Sequence, residues 1–156
     1  CGQALSPMNA FLLLQGLETL PLRMERHCEN ASKVASFLQS HDKVNNVIYP
    51  SQMSGETKRR AETYLSGGYG PLVGAELKGG MEAGKKFIDS LALFYHLANI
   101  GDSRSLAIHP ASTTHSQLKP EELASAGASE GYVRLSIGLE HIDDILGDLE
   151  KALDSV

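Results

Sequence analysis

The sequence predicts a mixed α/β fold of the α+β kind: a small, mostly antiparallel sheet with helices over one face. Three observations lead there. Apolar residues recur at spacings of three and four in several stretches, most clearly Phe87, Ile88, Leu91 and Phe94, and again Ile142, Ile145, Leu146, Leu149 and Leu153. Short stretches alternate with period two, best in Tyr132-Val-Arg-Leu-Ser-Ile-Gly-Leu139. Glycine and proline separate the two kinds of stretch, and no internal repeat or linker divides the 156 residues. That length suits one domain with its own core.

Ser6-Pro7 opens a helix, with a hydroxyl cap followed by proline at the first helical position, where its missing N–H costs nothing. Its apolar side continues through Leu13, Leu17, Leu20, Met24, Cys28, Ala31, Val34, Ala35 and Leu38. Pro21 either kinks this spine of residues 6–40 or begins a second helix capped by Thr19. At roughly 50 Å the spine is longer than the core of so small a domain. The apolar turns at Phe11–Leu14 therefore need a partner.

Val44–Tyr49 reads as a strand stopped by Pro50, and Gly55–Leu65 as a polar helix stopped by Gly67-Gly68. Leu72–Lys78 is a second strand, with Val73, Ala75 and Leu77 on one side. Gly79-Gly80 precedes an expected helix Met81–Ala98. Ser105–Ile108 is a third strand closed by His109-Pro110. Pro120-Glu-Glu122 starts a short helix with acids in its first turn, ended by Gly127. Val133–Leu139 is the fourth strand and His141–Leu153 the closing helix. The order of the strands cannot be derived from these patterns.

Charge and composition exclude several functions. The net charge of −5 lacks the basic face that nucleic acid or an anionic membrane requires. Lys58-Arg59-Arg60, the single basic cluster, reads as a solvated helix face. No apolar run approaches the roughly 20 residues of a membrane span. Cys1 and Cys28 have no metal-ligand spacing and, without a signal peptide, fit a reducing cytoplasm. The six histidines stand singly, so no metal site is expected. His27, His41 and His141 lie among charged residues and read as surface. Gly67-Gly-Tyr-Gly70 lacks the spacing of a phosphate loop. The chain opens on Cys1 without an initiator methionine, and the expectation is a piece of something longer.

The candidate chemistry lies in the last strand. Tyr132, Arg134, Ser136 and Gly138 share the side opposite Val133, Leu135, Ile137 and Leu139. Small neighbours leave space above the Arg134 guanidinium, whose planar fork suits a carboxylate. From the pattern alone, an arginine on a solvated strand face remains the alternative. Asn99-Ile-Gly-Asp102 is a polar turn in which Asn99 could orient Arg134 or donate to a ligand, and Asp102 could pair with Arg104. Ser112-Thr-Thr-His115 offers hydroxyls and an imidazole, but no partner that would make a general base.

With these residues in view, the chain resembles the C-terminal domain of the Cys/Met-metabolism enzymes that use pyridoxal phosphate. The segments that carry the resemblance are Ser6–His27, Asn99–Asp102, His109–His115 and Val133–Glu140, which span nearly the whole chain in order. Asn99-Ile-Gly-Asp102 is similar to the family's sulfhydrylase branch; its cystathionine-type branches commonly have serine where Asn99 stands. The resemblance implies a fold-type I transferase in which Arg134, with Asn99, binds the α-carboxylate of a small amino-acid substrate. It implies that residues 1–156 form the single small C-terminal domain, with 6–40 as the connecting helix. Acetate on the γ-carbon of O-acetylhomoserine would be replaced by sulfide or a thiol; γ-lyase and cystathionine γ-synthase chemistry are the alternatives. The Schiff-base lysine, the phosphate cradle and the stacking aromatic of the family have no match here. The cofactor is therefore expected on a large domain outside this chain, in a homo-oligomeric enzyme. A stand-alone module that binds a small acid or a partner protein is the non-catalytic alternative.

Overall fold

The computed structural model describes residues 2–156, so Cys1 lies outside the described residues. Six α-helices and five strands follow in the order α1 (Pro7–Glu18), α2 (Leu20–Ser40), β1 (Val44–Ile48), α3 (Gly55–Tyr64), β2 (Leu72–Leu77), α4 (Gly80–Ser90), β3 (Tyr95–His96), β4 (Leu106–Ile108), α5 (Pro120–Ser125), β5 (Tyr132–Ser136) and α6 (Ile142–Asp154). The sheet runs β1-β2-β5-β4-β3. All its pairs are antiparallel except β3 with β4. The mixed, mostly antiparallel sheet expected from the sequence is the one observed.

Alternation along the strands sorts the two faces. Val73, Ala75 and Leu77 of β2 and Val133 and Leu135 of β5 form one core with Ala31, Val34, Ala35 and Leu38 of α2, Phe87 and Ile88 of α4, and Ile145, Leu149, Ala152 and Leu153 of α6. The helices thus cover one face. On the other, one row of residues runs across four strands: Ile48, Gly74, Arg134 and Ile108.

The spine is two helices. Ser6 accepts from the Asn9 N–H at 3.3 Å, as its place before Pro7 predicts. Thr19 separates α1 from α2, and its hydroxyl accepts from Arg23 Nε at 3.3 Å. α2 is buried from His27 onward, but no residue of α1 is buried. Met8, Phe11, Leu12, Leu13, Leu14 and Leu17 are each more than half exposed. No helix among the described residues is long and apolar enough to cross a membrane.

The expected helix Met81–Ala98 is wrong in its second half. α4 ends at Ser90 because the Asp148 carboxylate on α6 captures the next N–H groups: Ala92 at 2.9 Å, Leu93 at 2.9 Å and Phe94 at 3.4 Å. A buried carboxylate with several N–H donors is a better partner for this backbone than another helical turn. Tyr95–His96 then adds a fifth strand to the four expected. His27 is also not a surface residue: it is fully buried, and Nδ1 donates to the Ile137 carbonyl at 2.7 Å. His141 is exposed as expected and caps α6 by accepting the Asp143 N–H. His41 is half-buried against the Lys43 N–H.

Candidate functional site

Two segments meet on the sheet face away from the helices: β5, which carries Arg134, and the turn from Leu97 to Ser105. The turn depends on Gly101, whose φ of 74° belongs to the left-handed region. It is tied down at its far end. Ser105, fully buried, donates its N–H to Glu140 Oε1 at 2.6 Å and its hydroxyl to Oε2 at 2.9 Å, while that hydroxyl accepts the Gly138 N–H at 2.9 Å. The Leu139 N–H reaches the Ser103 carbonyl at 2.8 Å. From α2, the Asn30 side-chain amide donates to the Gly138 and Glu140 carbonyls, both at 3.0 Å. The turn therefore sits at a fixed position beside the end of β5.

Arg134 is half-buried. Its Nη2 donates to the backbone carbonyl of Asn99 at 3.5 Å. The sequence pattern, in which Asn99 could orient Arg134 or donate to a ligand, does bring the two residues together; the atom of Asn99 that meets Arg134 is its backbone carbonyl, and the residue is otherwise exposed. Arg26, Arg59, Arg60 and Arg104 pair with Glu29, Glu56, Glu56 and Asp102, and Arg23 folds back onto Thr19 and the Gly16 carbonyl. Among the described residues, Arg134 has no carboxylate partner. Its remaining donors are free among the described residues, and a planar guanidinium has the geometry to pair with a carboxylate at two points.

The remaining candidates resolve into structure. Asp102 accepts the Arg104 N–H at 3.0 Å and its Nε at 3.3 Å, as expected. The Arg104 backbone N–H and guanidinium together hold the Asp102 carboxyl below the usual carboxylate range. The Arg104 guanidinium lies 4.7 Å from the centre of the Tyr95 ring. His109 is buried and acts as a latch: Nε2 lies 2.7 Å from the Glu130 carbonyl, so it carries the proton, and Nδ1 accepts from the Ser112 hydroxyl at 2.8 Å. Thr113 Oγ1 donates to the His109 carbonyl at 2.8 Å. The Ser112–His115 segment is thus a turn closed on itself, in which His115 Nδ1 lies 2.8 Å from the Thr114 hydroxyl. Lys58, Arg59 and Arg60 form a solvated face with Glu56 and Glu62.

One participant escaped the sequence reading. The Tyr132 ring lies across Gly74, the residue that faces Arg134 from β2. Burial pushes the Tyr132 phenol above its ordinary pKa, against the opposing pull of the Arg134 charge. The signal available in the sequence was a glycine inside a strand, which marks a close approach.

None of the lysines is buried. Lys33 and Lys85 pair with Glu29 and Glu82 on exposed helix faces, and Lys43 bonds to the Val156 carbonyl. No lysine stands in an enclosed, water-poor pocket of the kind that holds a cofactor aldehyde, so these residues do not fit a pyridoxal phosphate site of their own. Among the described residues no group of three or more histidine, cysteine or acidic side chains gathers around a metal position.

A family model described as Cys/Met metabolism PLP-dependent enzyme matches residues 1–154. The O-acetyl-L-homoserine sulfhydrylase of Leptospira meyeri is 59% identical over 156 residues, covering 99% of this chain and 35% of the relative. The L-methionine gamma-lyase of Pseudomonas putida is 48% identical over 152 residues, covering 97% of this chain and 38% of the relative. A solved Campylobacter jejuni structure, described as an O-acetylhomoserine (thiol)-lyase with a pyridoxyl-lysine, superposes with a TM-score of 0.87 at 47% identity, over 99% of this chain and 37% of that one. The chain thus spans a little over a third of the length of the proteins it matches. It belongs to the Cys/Met-metabolism family of pyridoxal-phosphate-dependent enzymes.

Proposed function

We propose that residues 1–156 form the C-terminal, substrate-carboxylate-binding domain of a larger cytoplasmic enzyme that replaces the acetate of O-acetylhomoserine by sulfide or a small thiol. Arg134 binds the α-carboxylate through its free donors, and the Asn99 turn forms the facing edge. The observation that carries the reading is the half-buried guanidinium of Arg134, which among the described residues has no acidic partner and meets one carbonyl, that of Asn99. Fixing the carboxylate at two points orients the amino acid so that its α- and γ-carbons are presented in one geometry. The family's cofactor serves as electron sink when bound; its lysine belongs to a part of the polypeptide outside this chain. The exposed apolar α1 is the face that packs on that part, and the complete enzyme is a homo-oligomer.

In the full-length enzyme, truncating one side of such a charge-assisted pair costs about 2–5 kcal/mol. Arg134→Ala is therefore expected to weaken amino-acid substrate use severely while pyridoxal phosphate stays bound. Unchanged substrate kinetics overturn the assignment. The second reading is a methionine γ-lyase, favoured by the 48% identity to the Pseudomonas putida protein. Incubation with O-acetylhomoserine plus sulfide yields homocysteine and acetate under the first reading. Release of methanethiol from methionine identifies the second.

A further inference from the structure

We propose that Tyr132 is a positioning residue for the substrate carboxylate: its ring fills the gap above Gly74 and so holds the Arg134 guanidinium toward the Asn99 turn. The proposal rests on the reading of Arg134 as the carboxylate-binding residue.

Arg134 projects from the middle of the sheet, opposite Gly74 on β2 and Ile108 on β4. Ile108 is buried and presents a side chain; Gly74 presents none. The place beside Arg134 on the β2 side would be empty were it not for Tyr132, two residues earlier on the same face. Its ring reaches diagonally across the ladder, as aromatic side chains can. A Cβ at position 74 would sit 2.7 Å from Tyr132 Cε2 and 2.7 Å from its hydroxyl oxygen. The ring therefore occupies the volume into which the flexible arginine stem would otherwise lean. The guanidinium is left with the direction it has, onto the Asn99 carbonyl at 3.5 Å. A phenol also suits this place chemically. A phenol is neutral at neutral pH, and burial shifts this one further from ionising, so it fills space beside the guanidinium without becoming the counter-ion, and the charge remains for the ligand.

The experiment is made in the full-length holoenzyme with Tyr132→Ala, Tyr132→Phe and Gly74→Ala. Two quantities are read: KM against kcat for the amino-acid substrate, and the ratio of affinities for an unreactive amino acid and its primary amide. Misplacing the guanidinium by about 1 Å in Tyr132→Ala is expected to raise KM about tenfold, with a smaller change in kcat, and to reduce the acid-over-amide preference. Tyr132→Phe retains the ring and is expected to stay within about twofold of the parent on both readouts. Gly74→Ala drives a methyl into the ring and shifts both in the direction of Tyr132→Ala. Should Tyr132→Ala not fold, Gly74→Ala alone decides. Parental acid-over-amide preference in Tyr132→Ala or in Gly74→Ala overturns the proposal, as does a Tyr132→Phe variant as impaired as Tyr132→Ala. Arg134→Ala separates the two levels. If it also retains the preference, the reading of the arginine is wrong; if it loses the preference while Tyr132→Ala keeps it, only the role of the tyrosine falls.

Discussion

The Asp148 carboxylate on α6 receives the Leu93 N–H at 2.9 Å, and this bond between residues 55 apart ends α4. The same carboxylate holds Ala92 and Phe94. It thereby fixes the start of the segment that goes on to Tyr95 and the Asn99 turn. Asp148→Ala leaves these N–H groups without their acceptor in a largely buried place. The expected loss of stability is about 3 kcal/mol, read as a lower denaturant midpoint at unchanged slope. A loss below about 1 kcal/mol, the size of an ordinary surface effect, contradicts this account.

Gly84 on α4 lies against the His109 imidazole, and a methyl group there would land on the ring. Gly84→Ala gains about 1 kcal/mol in helix propensity. Overpacking a filled site costs about 1–3 kcal/mol, and here the obstacle is a ring pinned at both nitrogens. The packing cost is expected to win, so the variant unfolds at lower denaturant than the parent. A more stable Gly84→Ala protein would show the latch to be loose.

Tyr49 is buried, donates to the Gly70 carbonyl at 3.1 Å, and has its pKa raised from 10.0 to about 12 by burial. Its folded-state pKa lies above the unfolded value, so its contribution is complete below about pH 10 and is lost as the pH rises towards 12. Two pKa units correspond to about 3 kcal/mol. Stability is expected to fall over that window, and Tyr49→Phe is expected to flatten this part of the profile. An identical alkaline fall in both proteins assigns it to other groups.

The lysines of this chain are all on or near its surface. Mixed with pyridoxal phosphate and reduced with borohydride, the isolated chain is expected to yield only scattered, low-level modification and no catalysis. Stoichiometric pyridoxylation of one lysine, found by peptide mass mapping, would place an aldimine site here.

What the sequence revealed was what short-range periodicity encodes. The alternation of β5 put Arg134 on the face away from Leu135 because strand period two does not depend on neighbours. The α6 stripe and the Ser6 cap were legible for the same local reason. The helix at Met81–Ala98 was overextended because Leu91, Phe94 and Ala98 keep helical spacing while Asp148, which interrupts it, lies far along the chain. His27 has charged neighbours in sequence, but its partner, the Ile137 carbonyl, is 110 residues away. β3 has two residues, too few for any pattern to register. The polar turn points to Asn99 as a neighbour of Arg134, but the contact is made by its backbone carbonyl, a contribution any residue at that place could make and no side-chain pattern encodes.

The exchange of volume between Gly74 and Tyr132 has an evolutionary corollary. The two positions share one space, so they are not free to vary independently: a lineage that acquires bulk at the first must shed it at the second. Substitutions at these two sites should therefore arrive in compensating pairs, and a protein carrying large side chains at both would have to open its sheet beside the arginine.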